Sequence, residues 1–382
     1  MRLILFFLLY YLFLFWYGVN FLSFSIVEVE SIEKFPLLNL ILNVSFYLFG
    51  VNDFALRIPS LIISVFNVML FFNIAKYYFK KENDIFFTTI IFALIPGFII
   101  SSLIINKSIY LLFFTLLFVF LYKKNRFFSY LLLMAGVFLD KSLIVLYLGI
   151  VFYSIYKKDN LLLVLSLILL TFNANFFNYK IGGKPKGYFL NVLGTYFLIF
   201  SPLVFVYFLF SLYKGFFLKK DIIFFIAITS FLVSILFSFR QRIKIDDYAP
   251  YVLPYTIYMV KIFLKSYRIR LPRFRNSYKL LFVILFSSLI IFDIALFLNS
   301  YTPARKLTNS FYFIKPLTKK LKNKNIDFVY CNNTKLCKSL YFYGIKKGSI
   351  YYLKYNKSSL KVSIFHKKNK ILEIDVSKLN TL

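Results

Sequence analysis

Acidic side chains are concentrated in one short stretch near the N-terminus. Glu28 and Glu30 are separated only by Val29, and Glu33 and Lys34 follow a few residues later. A carboxylate at a membrane surface is suited to general-base catalysis, because burial raises its pKa while a nearby guanidinium lowers it. The sequence therefore makes Glu28 and Glu30 candidate catalytic bases. The alternative is that these acids belong to a solvated loop with no chemical role.

A second group of candidate functional residues consists of cations at the ends or in the middle of apolar stretches. Arg57 lies at the start of a long apolar run, Lys141 interrupts the apolar stretch 127–156, and Arg240 and Arg242 follow the end of another run. A charge inside a bilayer is costly, so such a residue usually faces a cavity, a partner or a lipid headgroup. Arginine also binds phosphate through two parallel hydrogen bonds. We therefore expect these cations to hold a lipid phosphate; the alternative is interfacial anchoring.

The composition of the chain indicates a membrane protein. Of the 382 residues, 60% are apolar, 22% are aromatic and only 16% are charged, whereas a soluble domain is about 45–50% apolar and about 25% charged. The net charge of +32 is attributed to biased composition and membrane topology, not to nucleic-acid binding. One His and two Cys exclude most zinc or haem sites built by the protein, so no cofactor is predicted. The scarcity of clustered carboxylates argues against a divalent metal without deciding the question.

The apolar runs are long enough to predict about eleven membrane segments. They do not alternate polar and apolar residues, so helices are predicted and not a barrel. Three middle segments are short for a hydrocarbon core of about 30 Å. The predicted segments are 3–23, 54–75, 85–105, 108–122, 127–139, 142–156, 160–176, 188–213, 222–239, 248–264 and 279–298.

The distribution of Lys and Arg predicts the orientation of these segments. One set of alternate loops is basic, and the other set also carries acids. Basic loops usually face the cytoplasm, so the N-terminus is predicted inside and residues 299–382 outside. The basic set is Lys76, Lys80, Lys81, Lys123, Lys124, Arg126, Lys157, Lys158, Lys214, Lys219, Lys220, Lys265, Arg268, Arg270, Arg273, Arg275 and Lys279.

Residues 299–382 form a second predicted domain, a small α/β unit after the membrane domain 1–298. Strands are predicted at 327–331, 349–353 and 361–365, with a helix at 334–343 ended by Gly344. Cys331 and Cys337 are six positions apart, close enough for a disulfide if this domain faces an oxidising compartment. The alternative is two unrelated cysteines in a small apolar core.

The same blocks, in this order, resemble the GT-C membrane glycosyltransferases, and more narrowly the branch with protein O-mannosyltransferases and lipid A aminoarabinose transferases. That family has an acidic pair in its first external loop, a proline–leucine stretch and a signature near lfGxxxxaxRlPS. A helical hairpin and a late basic element before a proline-rich span follow. The counterparts, within roughly residues 1–300, are Glu28-Val29-Glu30, Pro36-Leu37-Leu38, Phe49-Gly50 through Arg57-Ile58-Pro59-Ser60, Gly136 through Asp140-Lys141-Ser142, and Ser238 through Pro254 with Arg240 and Arg242.

Three positions differ from the family pattern. Val29 separates the two acids, and Ser142 replaces the glycine that follows the hairpin lysine. Asn106-Lys107 occupies the place of the family's acid at the end of its third span. Lys107 is also counted among the candidate phosphate-binding cations.

The resemblance implies an all-α polytopic membrane protein that transfers a sugar, with inversion, from a polyprenyl-phosphate donor. The acceptor would be a lipid, glycan or protein at the external face of a bacterial inner membrane. The catalytic base would lie in the first external loop, about residues 24–54. Glu30 is the first choice because it takes the place of the second acid of the family's acidic pair, and Glu28 is the other candidate. Arg57, Lys107, Lys141, Arg240 and Arg242 would bind the phosphate. Polyprenyl phosphate leaves as an anion, so no protonated acid is required on that side.

Two other functions are compatible with the sequence. A glycolipid carrier or flippase would also have many spans and buried cations, but its charges should lie on helices of two related halves, and no halves are detectable. A degenerate family member with a structural role would keep the helices and the Arg57-Ile58-Pro59-Ser60 block while tolerating loss of both glutamates. The sequence identifies neither the sugar nor the acceptor.

Overall fold

The computed structural model describes residues 2–178, 187–298, 311–356, 361–366 and 369–375. Most of these residues are helical. The helices are α1 Arg2–Asn20, α2 Ile26–Lys34, α3 Pro36–Phe49, α4 Asp53–Ala75, α5 Glu82–Ala93, α6 Pro96–Leu103, α7 Ser108–Lys124, α8 Arg126–Gly136, α9 Leu143–Lys157, α10 Asn160–Phe176, α11 Phe189–Phe200, α12 Pro202–Phe216, α13 Ile222–Ser238, α14 Ala249–Val252, α15 Thr256–Ile269, α16 Pro272–Leu298, α17 Ile314–Lys322 and α18 Thr334–Phe342.

The strands form one small sheet near the C-terminus. They are β1 Phe328–Cys331, β2 Lys346–Lys347, β3 Tyr351–Asn356, β4 Lys361–His366 and β5 Asn369–Asp375, in the order β2-β1-β3-β4-β5. Strand β1 is parallel to β2 and β3, while β3, β4 and β5 form an antiparallel meander. The predicted strands and the helix between them are present. The domain boundary was predicted at residue 299. This position belongs to the stretch 299–310, which lies outside the described residues.

Short polar side chains explain where several helices begin. Ser25, Asp159 and Asp221 are N-cap residues whose side-chain oxygens accept a backbone N–H of the first turn. Such a cap satisfies a donor that the helix itself leaves unpaired, and it contributes about 1 kcal/mol. These caps separate apolar runs that would otherwise join.

Two predicted membrane segments are broken helices. The segment 85–105 is divided into α5 and α6, with a bend of 60°, and the segment 188–213 is divided into α11 and α12, with a bend of 104°. In each case the second helix begins with a proline, Pro96 or Pro202. Proline has no N–H to donate and fits the first helical turn best. Each was predicted as one hydrophobic segment, and the break inside it was not predicted, because hydropathy alone does not indicate where a helix is interrupted.

Helix lengths define fewer spans than the sequence predicted. Within the described residues, only α4 and α16 are long and apolar enough to cross a bilayer unbroken. The number rises to five if each bent pair is one span, the third pair being α2 and α3 with a bend of 113°. Other apolar helices, among them α8, α9, α10 and α13, have 10–17 residues. The architecture is therefore a helical membrane fold, whereas a count of eleven spans stays a prediction.

The chain forms two compact units. Unit 1 comprises residues 1–61, 103–106 and 294–382, and unit 2 comprises 62–102 and 107–293. Unit 1 contains α1 to α3 with the C-terminal sheet, and unit 2 contains the helices α5 and α7 to α15. In unit 2, a Cβ on Gly149 would lie 2.9 Å from the Cα of Ile226, so this glycine allows α9 and α13 to pack backbone against backbone.

Candidate functional site

In unit 1, Glu28 is first of all a helix-capping residue. The hydroxyl of Ser25 accepts the Glu28 N–H, and the Glu28 carboxylate in turn accepts the Ser25 N–H at 2.8 Å and the Ser25 hydroxyl at 3.0 Å. This reciprocal arrangement is a capping box, with the glutamate three residues after the N-cap. The Ser25-Ile26-Val27-Glu28 pattern is the sequence signature of such a box.

The other oxygen of Glu28 is occupied as well. It accepts a hydrogen bond from a guanidinium nitrogen of Arg57 and one from the Ile105 N–H at 3.0 Å. A carboxylate offers about four acceptor positions, and Glu28 receives four donors. Its side chain is also 0% exposed. In this arrangement Glu28 has no acceptor position left for a substrate hydroxyl.

Arg57 is the buried partner of this carboxylate. Its side chain is 1% exposed, and besides Glu28 it donates to the carbonyl oxygens of Leu103 at 3.0 Å and Ser23 at 3.1 Å. The guanidinium thereby joins four stretches of unit 1: the loop after α1, the first turn of α2, the start of α4 and residues 103–106. Arg57 was predicted to bind a lipid phosphate, but here its charge is compensated inside the protein.

The proline of the Arg57-Ile58-Pro59-Ser60 block has an identifiable structural partner. Pro59 lies inside α4 and has no N–H, so the carbonyl of Ala55, four residues earlier, loses its intrahelical donor. The hydroxyl of Ser45, on α3, donates to that carbonyl at 2.6 Å. A buried carbonyl is thus satisfied, and α3 is attached to α4.

Glu30 has a different environment from Glu28. Its side chain is 30% exposed and pairs with Lys34 on the same helix and with Lys335 of α18 at 3.1 Å. Glu33, one turn later, pairs with Lys338 at 2.6 Å. Because surface ion pairs are weak, Glu30 can exchange these partners at little cost, which Glu28 cannot.

The C-terminal domain packs directly against the first loop within unit 1. Asp53 accepts the Tyr343 hydroxyl at 2.8 Å and pairs with Lys315 at 3.1 Å. Burial lowers the pKa of Lys315 although Asp53 opposes this effect, and burial together with the Asp53 charge raises the pKa of Tyr343. The partly buried Ile26 packs on the core of the domain, which includes Leu317, Leu321, Val329, Leu336, Leu340, Leu353 and Val362.

Cys331 and Cys337 are joined by a disulfide, with their Cα atoms 5.9 Å apart. Cys331 ends β1 and Cys337 lies in α18. Both sulfurs belong to the apolar core of the C-terminal domain. The bridge therefore joins the sheet to the helix that contacts α2.

Unit 2 contains a separate group of charges, which we call the Lys107 cluster: Lys107, Asp140, Asp246 and Asp247. The Lys107 ammonium lies 2.8 and 3.0 Å from the two oxygens of Asp140 and 2.5 Å from Asp247. The Ser108 hydroxyl donates to Asp246 at 3.2 Å. These contacts join the start of α7, the α8–α9 loop and the loop after α13. Lys107 was predicted to bind a lipid phosphate, but two carboxylates engage it here.

Burial and neighbouring charges shift two pKa values in the cluster. Burial by itself would lower the pKa of Lys107, but the carboxylates of Asp247 and Asp140 outweigh it and raise that pKa. Burial and the adjacent Asp247 charge raise the pKa of Asp246, against the opposing hydrogen bond from Ser108. The surroundings therefore favour the charged form of Lys107 and the protonated form of Asp246.

The α8–α9 loop is also held by neutral groups. The Asn173 amide donates to the Val137 carbonyl at 2.8 Å, and the Ser142 N–H donates to Asp140 at 2.8 Å. The Ser142 hydroxyl lies 3.2 Å from the Tyr251 hydroxyl. A Cβ on Gly136 would lie 2.3 Å from the ring of Phe114, so a larger residue there would displace that ring. The loop that carries Lys141 is thus well defined.

Three predicted cations of unit 2 are exposed: Lys141, Arg240 and Arg242. Across the part of the chain that the structure describes, no acidic side chain forms an ion pair with any of them. Each adjoins a loop that the Lys107 cluster holds. These cations are chemically available to an anion, unlike Arg57 and Lys107.

Sequence reasoning did not identify the Lys107 cluster as a unit. It noted Asp140 as an interruption of an apolar stretch and Asp246-Asp247 as loop acids, but nothing in their spacing relates them to Lys107. In the described ranges, no group of three or more His, Cys, Asp or Glu residues has the arrangement of a metal site.

Comparisons with known proteins support the fold. No protein-family model matches the chain, and no curated protein matches it in sequence. Two solved structures are similar, both of ArnT from Cupriavidus metallidurans. The apo form has a TM-score of 0.56 at 12% identity, covering 90% of this chain and 74% of that one. The form bound to undecaprenyl phosphate has a TM-score of 0.53 at 12% identity, covering 90% and 75%. ArnT is a lipid A aminoarabinose transferase, and the likeness shows that this chain has a similar overall fold.

Proposed function

We propose that this protein is a membrane glycosyltransferase that takes its sugar from a polyprenyl-phosphate donor. Its fold is that of ArnT over 90% of the chain, and one of the similar ArnT structures contains undecaprenyl phosphate. We further propose the orientation predicted from the loops, in a bacterial inner membrane with the N-terminus cytoplasmic and the C-terminal domain outside. The acceptor belongs to the lipids, glycans or proteins of the cell envelope.

The single observation on which the proposal rests is the set of exposed cations in unit 2 that form no ion pair with an acid among the described residues. Lys141, Arg240 and Arg242 adjoin loops that the Lys107 cluster holds together. Arginine pairs and lysines are the usual protein ligands of phosphate. We assign the donor phosphate to these three residues and assign Arg57 and Lys107 to the internal ion pairs that hold the loops.

Sugar transfer needs cations that stabilise the charge on the leaving phosphate and a base that removes the proton of the acceptor hydroxyl. As the bond from the sugar C1 to the phosphate oxygen breaks, the polyprenyl phosphate leaves with a negative charge that the cations stabilise. The acceptor hydroxyl forms the new bond to C1 on the opposite face and loses its proton to a carboxylate. We propose Glu30 for this carboxylate, because the Glu28 oxygens already accept four hydrogen bonds.

The experiment measures binding of undecaprenyl phosphate, with undecaprenol as the matched probe without phosphate. The purified full chain should bind the phosphate form more tightly. The triple variant Lys141→Gln, Arg240→Gln, Arg242→Gln should lose at least about tenfold in affinity for the phosphate form and nothing for undecaprenol. The control variant Lys214→Gln, Lys219→Gln, Lys220→Gln changes three cations in the last turn of α12 and the loop that follows it, and it should bind as the unmodified protein does. Equal affinity for the two lipids would refute the proposal.

The saturated Glu28–Arg57 pair favours one alternative function. In a degenerate GT-C protein, this motif would only hold the fold, and no sugar would be transferred. Mass spectrometry of polyprenyl-phosphate sugars in cells distinguishes the two. Cells producing Glu30→Gln should accumulate the lipid-linked donor relative to cells producing the unmodified protein, whereas a structural role leaves the donor level the same in both.

A further inference from the structure

Unit 2 contains a long apolar cavity, which we call the α15–α16 groove. It lies between α5, α12, α15 and α16 and has a volume of about 440 Å³, within the range typical of ligand pockets, about 300–1,000 Å³. Hydrocarbon side chains make up most of its wall, among them Phe87, Val204, Val260, Phe263, Phe282 and Leu289. Such a wall offers few hydrogen-bonding groups to a sugar, and it suits a hydrocarbon chain.

The length of the groove corresponds to one leaflet of a bilayer. Lys279 and Leu289 both line it, and ten residues of helix at 1.5 Å per residue extend about 15 Å. The hydrocarbon core of a bilayer is about 30 Å thick, so the groove is about half as long. One acyl chain of a phospholipid fits this length, whereas a polyprenyl chain is far longer than one leaflet.

One end of the groove is strongly basic. The stretch 265–279 carries Lys265, Arg268, Arg270, Arg273, Arg275 and Lys279 with no acid among them. Arg270 stacks on the ring of Tyr278 at 4.1 Å and donates to its hydroxyl at 2.9 Å. Arg275 donates to the Arg270 carbonyl at 3.0 Å. Since Tyr278 and Lys279 line the groove, these contacts place the cations at its end.

The acid at this end of the groove is already neutralised. Asp84 lines the groove, and a guanidinium nitrogen of Arg268 lies 2.6 and 2.7 Å from its two oxygens. Among the residues with described positions, no acid pairs with Arg270, Arg275 or Lys279. The end of the groove therefore keeps an uncompensated positive charge next to an apolar slot.

We propose that the α15–α16 groove is a binding site for an anionic phospholipid. One acyl chain occupies the slot, and Arg270, Arg275 and Lys279 hold the phosphate and its anionic headgroup. Clusters of basic residues next to a membrane helix attract anionic lipids. This site is separate in sequence and residues from the cations assigned to the sugar donor, and it would select a lipid of the surrounding membrane.

The experiment compares lipids retained by the purified full chain. Native mass spectrometry is recorded with phosphatidylglycerol and with phosphatidylcholine of identical acyl chains. We expect one phosphatidylglycerol to be retained at least about tenfold more tightly than phosphatidylcholine. The variant Arg270→Gln, Arg275→Gln, Lys279→Gln should remove this preference. The control Lys76→Gln, Lys80→Gln, Lys124→Gln, at exposed lysines that do not line the groove, should keep it.

A second variant tests the slot. Val283 lines the groove and is exposed, so Val283→Trp should fill the slot without disturbing the core and should weaken phosphatidylglycerol retention by a similar factor. Retention unchanged in Val283→Trp would overturn the proposal, as would equal retention of the two phospholipids. Displacement of phosphatidylglycerol from the unmodified chain by equimolar undecaprenyl phosphate, abolished in the Arg270, Arg275 and Lys279 variant, would assign the groove to the polyprenyl lipid instead and would also overturn it.

Discussion

The guanidinium of Arg57 donates to the carboxylate of Glu28, and neither side chain is accessible to solvent, with exposures of 1% and 0%. The two residues are 29 positions apart, one in the first turn of α2 and one in α4. Two of the residues that the GT-C resemblance marks for chemistry are thus each other's partners. Their pairing explains why the first loop has a defined shape.

The Glu28–Arg57 pair should be essential for stability. Arg57→Met leaves the Glu28 carboxylate buried without its cation and should cost about 3–5 kcal/mol. Arg57→Lys should also be destabilised, because a lysine does not reproduce the donors to Leu103 and Ser23. Thermal unfolding in detergent measures both, with the exposed Arg273→Gln as control. A stable Arg57→Met protein that has lost only undecaprenyl phosphate binding would instead support a ligand role for Arg57.

Glu30 should be required for transfer but not for folding. Glu30→Gln removes the proposed base and should lower the transfer rate about 10²–10⁴-fold, with little change in unfolding temperature because its ion pairs are partly exposed to solvent. Glu33→Gln is the matched control, since Glu33 lies on the same helix and also pairs with a lysine of α18. Equal rates in the two variants would remove Glu30 from the mechanism.

Lys107 should act by holding loops together. Lys107→Met leaves Asp140 and Asp247 facing each other without a cation and should cost about 3 kcal/mol. Adding Asp140→Asn should recover part of this loss, because it removes one of the two uncompensated charges. Unfolding of the two single variants and the double variant measures the coupling. Strictly additive losses would mean that the ion pair contributes nothing.

Asp246 should make stability depend on pH. Its pKa is raised in the folded protein, first by burial and then by the Asp247 charge, so folding favours the protonated acid. This stabilisation is complete below the unfolded pKa and is lost as the pH rises through the raised folded pKa. Asp246→Asn, which can still accept from Ser108, should therefore be more stable than the unmodified protein at pH 7. The difference should vanish near pH 3, and unfolding temperatures across this range check it.

The Cys331–Cys337 bridge should stabilise the C-terminal domain without affecting transfer. Closing so short a loop contributes about 2–3 kcal/mol in the chain-entropy model. Maleimide should label denatured protein only after reduction, and Cys331→Ser with Cys337→Ser should lower the unfolding temperature but leave the transfer rate unchanged. Labelling before reduction would indicate free thiols in the cell, and it would weaken the external placement of this domain.

Local sequence patterns were sufficient to predict much of the fold. Apolar runs predicted where most helices lie, because a helix in a membrane needs a continuous run of apolar residues, and such a run is visible in the sequence. Strand and helix patterns located β1, α18, β3 and β4, although they did not predict β2 or β5. The Arg57-Ile58-Pro59-Ser60 block contributed to the resemblance that predicted an ArnT-like fold. Even the breaks at Pro96 and Pro202 were readable in principle, since proline cannot donate the hydrogen bond that a continuous helix needs.

The state of each charge was decided only by the tertiary structure. Glu28 and Glu30 are two residues apart, yet one is saturated by four donors and the other remains at the surface. Lys107 meets Asp140 across 33 residues, and Ser108 meets Asp246 across 138. Whether a charge is free or compensated depends on which distant segments fold against it, and a linear sequence does not contain those distances. The sequence by itself therefore identified which residues carry charge in the membrane, and the fold determined which of them can meet a substrate.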